Sequence, residues 1–344
     1  MTASPRPLTA PRSTPRAANR RVRVHVHGDP TSPVDSVTPA AFRRASRRVP
    51  ALARRLSVTF GEDERALEAG LAEAEILLAG HFPADGLARR APRLRWIQST
   101  SAGVETLVPL MPAHVVLTNA SGVHGPKGGE YGLTALLMLN HRVPYFVTRQ
   151  REARWDPAYS STIAGRTVVL IGVGDIGAEV ARLARRFGMR VLGVRRSGRP
   201  HPHVERMVTP KELRRVLPQA DFLVVATPLT AETRGLLGRR ELDLLPRHAG
   251  VVNLGRGAVI DHDALAEKLR SGELGGAVLE VVPQEPLPPE SPLWSLPNVI
   301  LSPHCAVDDA VHYVPRCLDI FFDNVGRYLR GRPLRNRVDP TLGY

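Results

Sequence analysis

Cysteine is almost missing from this 344-residue sequence, which contains only Cys305 and Cys317. Two thiols make no disulfide framework, and their scarcity fits a reducing, cytoplasmic setting. No apolar run approaches the roughly 18 residues a membrane-spanning helix needs, so no membrane partner is expected. Lysine occurs only at 127, 211 and 268, so arginine carries nearly all the positive side of a net charge of +14. Aromatic residues make up 5% and do not interleave with the arginines, which are spread along the chain. That distribution argues against a nucleic-acid-binding stripe and leaves some attraction for anionic metabolites. Arg43-Arg44 and Arg239-Arg240 read as solvated faces. Residues 1–20 hold no acidic residue and are rich in Pro, Ser, Thr, Ala and Arg. Residues 1–21 therefore read as a disordered tail, with no apolar stretch for secretion and with prolines that oppose an amphipathic targeting helix.

No repeat at solenoid spacing interrupts the rest. Val22–His27 alternates as a strand should. Ile76–Leu78, Leu94–Gln98 and Val115–Asn119 continue the strand signal, with helical patterns such as Ala66–Glu75 between them. Strands alternating with helices imply a parallel sheet covered on both faces. A long helical pattern, Glu130–His141, leads to the strongest strand, Thr167–Ile171. Further strands are expected at Val191–Val194, Phe222–Ala226, Val251–Leu254, Ala277–Val281 and Val299–Ser302, and a last helix over about 310–329. The fold class is α/β, with two Rossmann-like or flavodoxin-like domains built on parallel sheets.

The strand ending at Ile171 runs into Gly172-Val-Gly174-Asp175-Ile176-Gly177, followed by a helix with Val180, Leu183, Ala184 and Phe187 on one face. The three glycines do different things. Gly172 permits the tight turn, Gly174 admits a pyrophosphate close to the backbone, and Gly177 lets the helix pack on the strand. The free N–H groups at the helix start then face the phosphates. A glycine pattern alone is weak evidence, but here it lies between a strand and a helix, which is the context a dinucleotide needs. The next strand normally ends in a carboxylate for the ribose 2′-hydroxyl. Here Arg195-Arg196-Ser197 stands there, and guanidinium groups pair with a 2′-phosphate, so the cofactor is expected to be NADP, with NAD second.

Three more strand ends carry chemistry. Val252–Gly257 presents Arg256, a planar two-pronged donor suited to a substrate carboxylate. Leu279–Pro286 presents Glu285, and Leu301–His304 presents His304. Imidazole changes charge near neutral pH, so His304 can give or take the proton that accompanies a hydride at a carbonyl carbon, with Glu285 orienting its ring. These residues suit a small 2-oxo acid/2-hydroxy acid pair. No metal is expected.

On these motifs the sequence resembles the D-isomer-specific 2-hydroxyacid dehydrogenase family, from about Arg93 onward and more loosely from Val22. Arg256, Glu285 and His304 fall where that family has its Arg, Glu and His. The resemblance implies cofactor contacts at Gly172, Gly174, Asp175, Ile176, Gly177, Arg195, Arg196, Ser197, Thr227, Pro228, Leu254, Gly255 and Glu280. It implies substrate contacts at Ala102 and Gly103, in the loop Gln98–Val104, as well as at Arg256. Residue 280 departs from the family's usual Asp, and the longer Glu must fold back. The family's organisation implies a substrate domain of residues 22–123 and 305–344, a dinucleotide-binding domain of residues 124–304, an active site in the cleft between them, and a homodimer formed through Glu130–Val143. The ending Arg195-Arg196-Ser197 resembles the NADPH-using glyoxylate/hydroxypyruvate reductases. The competing reading is a nucleotide-sensing corepressor-like binding protein on the same fold, which binds dinucleotide without turning over a 2-oxo acid. Cys305, beside His304, is a candidate for sensitivity to thiol reagents.

Overall fold

The computed structural model describes residues 20–32 and 34–344. Most of the expected tail lies outside the described residues. The chain divides into two compact units. One comprises the chain up to Ser101, Leu110–Ala120 and Val314–Arg337; the other comprises Ala102–Pro109, Ser121–Tyr313 and Val338–Tyr344. Residues 102–109, 121–123, 305–313 and 338–344, grouped with the substrate domain on sequence grounds, cluster with the second unit.

The first unit is a five-stranded parallel sheet: β1 (Val22–His27), β2 (Leu56–Gly61), β3 (Ile76–Ala79), β4 (Trp96–Ser99) and β5 (Val116–Thr118), in the order β2-β1-β3-β4-β5. Strand β2 adds to the expected set. Its apolar pattern is weak, because at the sheet edge only Leu56 is fully buried. Helix α1 (Pro39–Arg48) starts where Thr38 caps the Ala41 N–H and proline occupies the first turn. Helix α2 (Glu64–Glu73) is capped the same way by Asp63. The helix Tyr313–Leu329 sets Phe321 against Trp96, with ring centroids 5.5 Å apart, over a core that includes Phe42, Ile76 and Leu78. The indole N–H of Trp96 donates to Thr118, so this buried ring leaves no orphan donor.

The second unit is a seven-stranded parallel sheet: β6 (Thr167–Ile171), β7 (Arg190–Val194), β8 (Arg206–Val208), β9 (Phe222–Val225), β10 (Gly250–Asn253), β11 (Gly276–Leu279) and β12 (Val299–Leu301). Their order, β12-β11-β10-β9-β6-β7-β8, reverses between β6 and β9. Ligands of open parallel sheets bind at the carboxyl ends beside such a reversal. Helices α3 (Gly125–Asn140), α4 (Val143–Arg151), α5 (Asp175–Arg186) and α6 (His262–Arg270) accompany the sheet.

Helix α3 begins five residues before the expected Glu130. Its first turns, Gly-Pro-Lys-Gly-Gly, have poor helix propensity, but packing overrides it. A Cβ at Gly129 would lie 2.5 Å from the Cβ of Glu179, and one at Gly132 would lie 2.5 Å from Val180. The glycines thus form a bare stripe on which α5 lies.

Candidate active site

The glycine turn has the shape its sequence implies. Gly172 has φ +92°, and a Cβ there would sit 2.5 Å from the Ala226 carbonyl oxygen. A Cβ at Gly177 would fall 2.0 Å from the Gly172 carbonyl oxygen, which fixes the close approach of α5 to β6. Around Gly174 a Cβ would meet nothing within 4 Å, so open space adjoins the backbone there. Gly174 is also the N-cap of the 12-residue α5 and supplies no side-chain acceptor for the first N–H groups. An open cradle at an uncapped helix start fits the diphosphate of a dinucleotide.

The other expected cofactor residues are distributed around this turn. Asp175 accepts from the Ser121 hydroxyl at 2.8 Å, so its carboxylate serves a protein contact. Ile176 packs against Gly128 of α3. Leu254 is 4% exposed, its side chain belongs to the core, and its N–H donates to the Val225 carbonyl at 2.8 Å, so its side chain and N–H are committed to the fold. A Cβ at Gly255 would lie 2.6 Å from the Thr227 carbonyl oxygen, so the loops after β9 and β10 touch. Pro228 accepts from the Thr233 hydroxyl at 2.7 Å, which closes the turn that follows β9. Arg195, at the end of β7, accepts from the Gly198 N–H in a turn that leaves Arg196 and Ser197 exposed.

Arg256 follows β10. The buried Asn253 donates to the Arg256 carbonyl (3.1 Å) and accepts from the Gly255 N–H (3.1 Å), pinning the loop. The guanidinium is partly committed: Nε donates to Glu105 at 3.0 Å, and Nη1 donates to the Gly255 carbonyl at 2.9 Å. A Cβ at Gly103 would lie 1.8 Å from Nη2, so the absence of a side chain at Gly103 is what admits the guanidinium, and Arg256 lies directly against the Ala102-Gly103 loop. Sequence reasoning does not single out Glu105. The one signal for it is an acidic residue two places after Gly103, in the loop expected to grip a carboxylate.

His304 and Glu285 come together. Nδ1 of His304 is 2.7 Å from Oε2 of Glu285; the carboxylate accepts, so Nδ1 carries the proton and Nε2 is the ring nitrogen left for a reacting group. The other Glu285 oxygen accepts from the Val282 N–H at 3.1 Å. A Cβ at Gly257 would lie 2.0 Å from the Val282 carbonyl carbon, so the Arg256 loop and the Glu285 loop are in contact. His304 stands at φ +50°, a left-handed conformation uncommon for a residue with a side chain. Its N–H bonds to the Glu280 and Ser302 carbonyls, both at 3.0 Å.

The longer Glu280 side chain folds back, as expected, but onto the protein. It is 1% exposed, accepts from the Ser302 hydroxyl, and accepts from the Ala306 N–H at 2.7 Å; Tyr131 and Ser302 are 2.9 Å apart through their hydroxyls. Burial chiefly pushes the Tyr131 hydroxyl up, with the Glu280 carboxylate adding to it. Glu280 thus clamps both sides of the His304 turn. Cys305 is exposed, but partial desolvation, then Glu280 and Asp308, raise its thiol above the usual range, which opposes the reactive thiolate. Among the described residues, no group of three His, Cys, Asp or Glu side chains is arranged to hold a metal, and no helix is long and apolar enough to cross a membrane.

Comparison with known proteins agrees with this geometry. Residues 133–306 match the model for the NAD binding domain of D-isomer specific 2-hydroxyacid dehydrogenases. The chain is 33% identical over 280 residues to glyoxylate/hydroxypyruvate reductase A of Salmonella heidelberg (strain SL476), an alignment spanning 79% of this chain and 88% of the relative. A D-isomer specific 2-hydroxyacid dehydrogenase from Xanthobacter autotrophicus Py2, solved in complex with NADPH and MES, superposes with a TM-score of 0.81 at 30% identity over 94% of this chain and 100% of that one. The NADPH-dependent glyoxylate/hydroxypyruvate reductase of Sinorhizobium meliloti, solved with NADP and sulfate, gives 0.79 at 27% identity, again over 94% and 100%. Two parallel sheets of five and seven strands, a dinucleotide turn, and these matches over most of the chain lead to one conclusion: this chain belongs to the D-isomer specific 2-hydroxyacid dehydrogenase family.

Proposed function

We propose that this protein is an NADPH-preferring reductase of small 2-oxo acids of the glyoxylate/hydroxypyruvate type, forming the D-2-hydroxy acid. The observation that carries the reading is the 2.7 Å His304–Glu285 pair, held in the same unit as the glycine turn and Arg256. Gly172, Gly174 and Gly177, with the start of α5, would hold the diphosphate; Arg195, Arg196 and Ser197 would hold the 2′-phosphate. Bound NADPH supplies the hydride. The Arg256 Nη2 atom and the Ala102-Gly103 backbone grip the substrate carboxylate, which fixes which face of the carbonyl is presented. His304 Nε2 donates a proton to the carbonyl oxygen as charge develops there, and Glu285 holds the ring through Nδ1 and balances the imidazolium. In the reverse direction the neutral ring takes the hydroxyl proton.

On the same reading residues about 22–123 and 305–344, most of which lie in the first unit, serve as the substrate domain, and residues 124–304 carry the dinucleotide. A homodimer through Glu130–Val143 fits the family. The fully exposed Trp155 and the largely exposed Tyr159, in the segment after α4, are further apolar surface that a second subunit would cover. Cysteine scarcity supports a cytoplasmic setting. The test is NADPH oxidation with a panel of 2-oxo acids, repeated with NADH. Turnover of glyoxylate or hydroxypyruvate, faster with NADPH, is the expected outcome. NADPH binding without oxidation of any panel member would favour the corepressor-like alternative.

A further inference from the structure

The segment Val338–Tyr344 clusters with the second unit, and it brings an aromatic ring to the residues expected at the 2′-phosphate. The ring of Tyr344 lies 5.3 Å from the guanidinium carbon of Arg196, within cation–π range. The segment is folded back on itself. The Asp339 N–H donates to the Tyr344 carbonyl at 3.1 Å, and the Leu342 and Gly343 N–H groups donate to the Asp339 carbonyl at 3.1 and 2.9 Å. Asp339 Oδ1 is occupied by the Thr341 hydroxyl and N–H, at 2.6 and 2.8 Å. These bonds hold the carboxyl below its usual range, with Arg196 adding a smaller electrostatic contribution. These bonds order the backbone from which the Tyr344 ring projects.

Arg196 is exposed, and an exposed arginine ordinarily loses rotamer freedom when it closes on an anion. A ring against one face removes part of that cost in advance, while the guanidinium edge and opposite face stay available to a phosphate and to a purine. We propose that Tyr344 is a specificity-determining residue that pre-orders Arg196 for the 2′-phosphate of the adenosine half of the cofactor. The inference rests on the NADPH reading above and extends it to a part of the chain outside the glycine turn and the β7 end.

Calorimetric titration of the full chain with 2′,5′-ADP and with 5′-AMP isolates this subsite, since neither probe carries nicotinamide. The variants are Arg196→Ala, Tyr344→Ala and Tyr344→Phe, each checked for parental melting temperature. Tyr344→Ala is expected to weaken 2′,5′-ADP by about two- to fivefold, the size of an exposed cation–π contact. It should alter 5′-AMP little, and Tyr344→Phe should bind 2′,5′-ADP as the parent does. If Arg196→Ala loses affinity for 2′,5′-ADP while Tyr344→Ala keeps it, the role of Tyr344 is overturned and the NADPH reading survives. A Phe variant as weak as the Ala variant also overturns it, because the ring would then not be the cause. A parent that binds 2′,5′-ADP no better than 5′-AMP sinks the NADPH reading, and this inference with it.

Discussion

At the scale of single residues, the site depends on which donors and acceptors are already taken. His304 has its Nδ1 fixed by Glu285, so one ring nitrogen is left for chemistry. His304→Ala should lower kcat by about 10²–10⁴ and leave the Kd for NADPH within about twofold, since the proposed reaction assigns binding and proton transfer to different residues. Steady-state rates beside fluorescence titration of NADPH check this, and a kcat near the parent's would remove His304 from the mechanism. Arg256 is held by Glu105, whose carboxylate accepts from Nε, while the proposed reaction assigns Nη2 to the substrate. Glu105→Ala should free the guanidinium to swing, raising KM for the 2-oxo acid by about three- to tenfold, the net worth of about one ordinary hydrogen bond. The effect should fall on KM more than on kcat, and Glu105→Asp should recover part of it. A loss confined to kcat would contradict a positioning role.

At the scale of elements, the pairing of α3 with α5 sets two preferences against each other. Gly129 lies inside α3, where alanine is worth about 1 kcal/mol more than glycine on helix propensity. A methyl group there would stand 2.5 Å from the Glu179 Cβ and 3.2 Å from its carbonyl carbon. Forcing atoms into a filled contact costs about 1–3 kcal/mol, so packing should win. Gly129→Ala is expected to lower the melting temperature, with a knock-on loss of NADPH affinity because α5 begins at the dinucleotide turn. A melting temperature at or above the parent's in scanning calorimetry would show that the helices can separate without cost. This contact also explains why the start of α3 is hidden in the sequence. Local propensity opposes a helix there, and a partner about fifty residues further along the chain overrules it.

At the scale of the whole molecule, the first unit carries a pH liability. His25, on β1, is 1% exposed and bonds Thr59 through Nδ1, and its Nε2 is buried with no partner. Burial, helped by neighbouring His27, lowers its pKa from 6.5 to about 4. His27 is lowered as well, again chiefly by burial. The folded state therefore favours the neutral ring, and the unfolded chain takes up the proton first. Stability is complete above about pH 6.5 and declines as pH falls toward about 4, by up to about 3 kcal/mol for His25. Urea unfolding followed by tryptophan fluorescence in a Trp155→Phe/Trp294→Phe background, which leaves the buried Trp96 of the same unit as the probe, should show its midpoint dropping across that window. His25→Gln should flatten the drop; a midpoint constant from pH 7 to pH 4.5 in the parent would refute the assignment. The abundant arginines do not change this picture. Arg43, Arg44 and Arg240 are solvated and Arg239 pairs with Glu267 at the surface, where ion pairs contribute little.

Much of the protein is legible from short-range pattern. Among the described residues, periodicity and turn residues locate ten of the twelve strands, and the two edge strands β2 and β8 escape because neither carries a strong apolar pattern. The glycine turn, Arg256, Glu285 and His304 are readable because parallel sheets send the residues after each strand to one edge, so motif and position coincide. Tertiary structure alone decided the rest. Glu105 meets Arg256 across 151 residues, and the Tyr131 and Ser302 hydroxyls meet across 171. Glu280 turns into the histidine loop rather than outward, and Tyr344 reaches Arg196. Periodicity records which face of an element is buried, but not which distant side chain will lie against it. That choice is made by how the elements pack, and here packing supplies the partners that aim the residues the sequence had named.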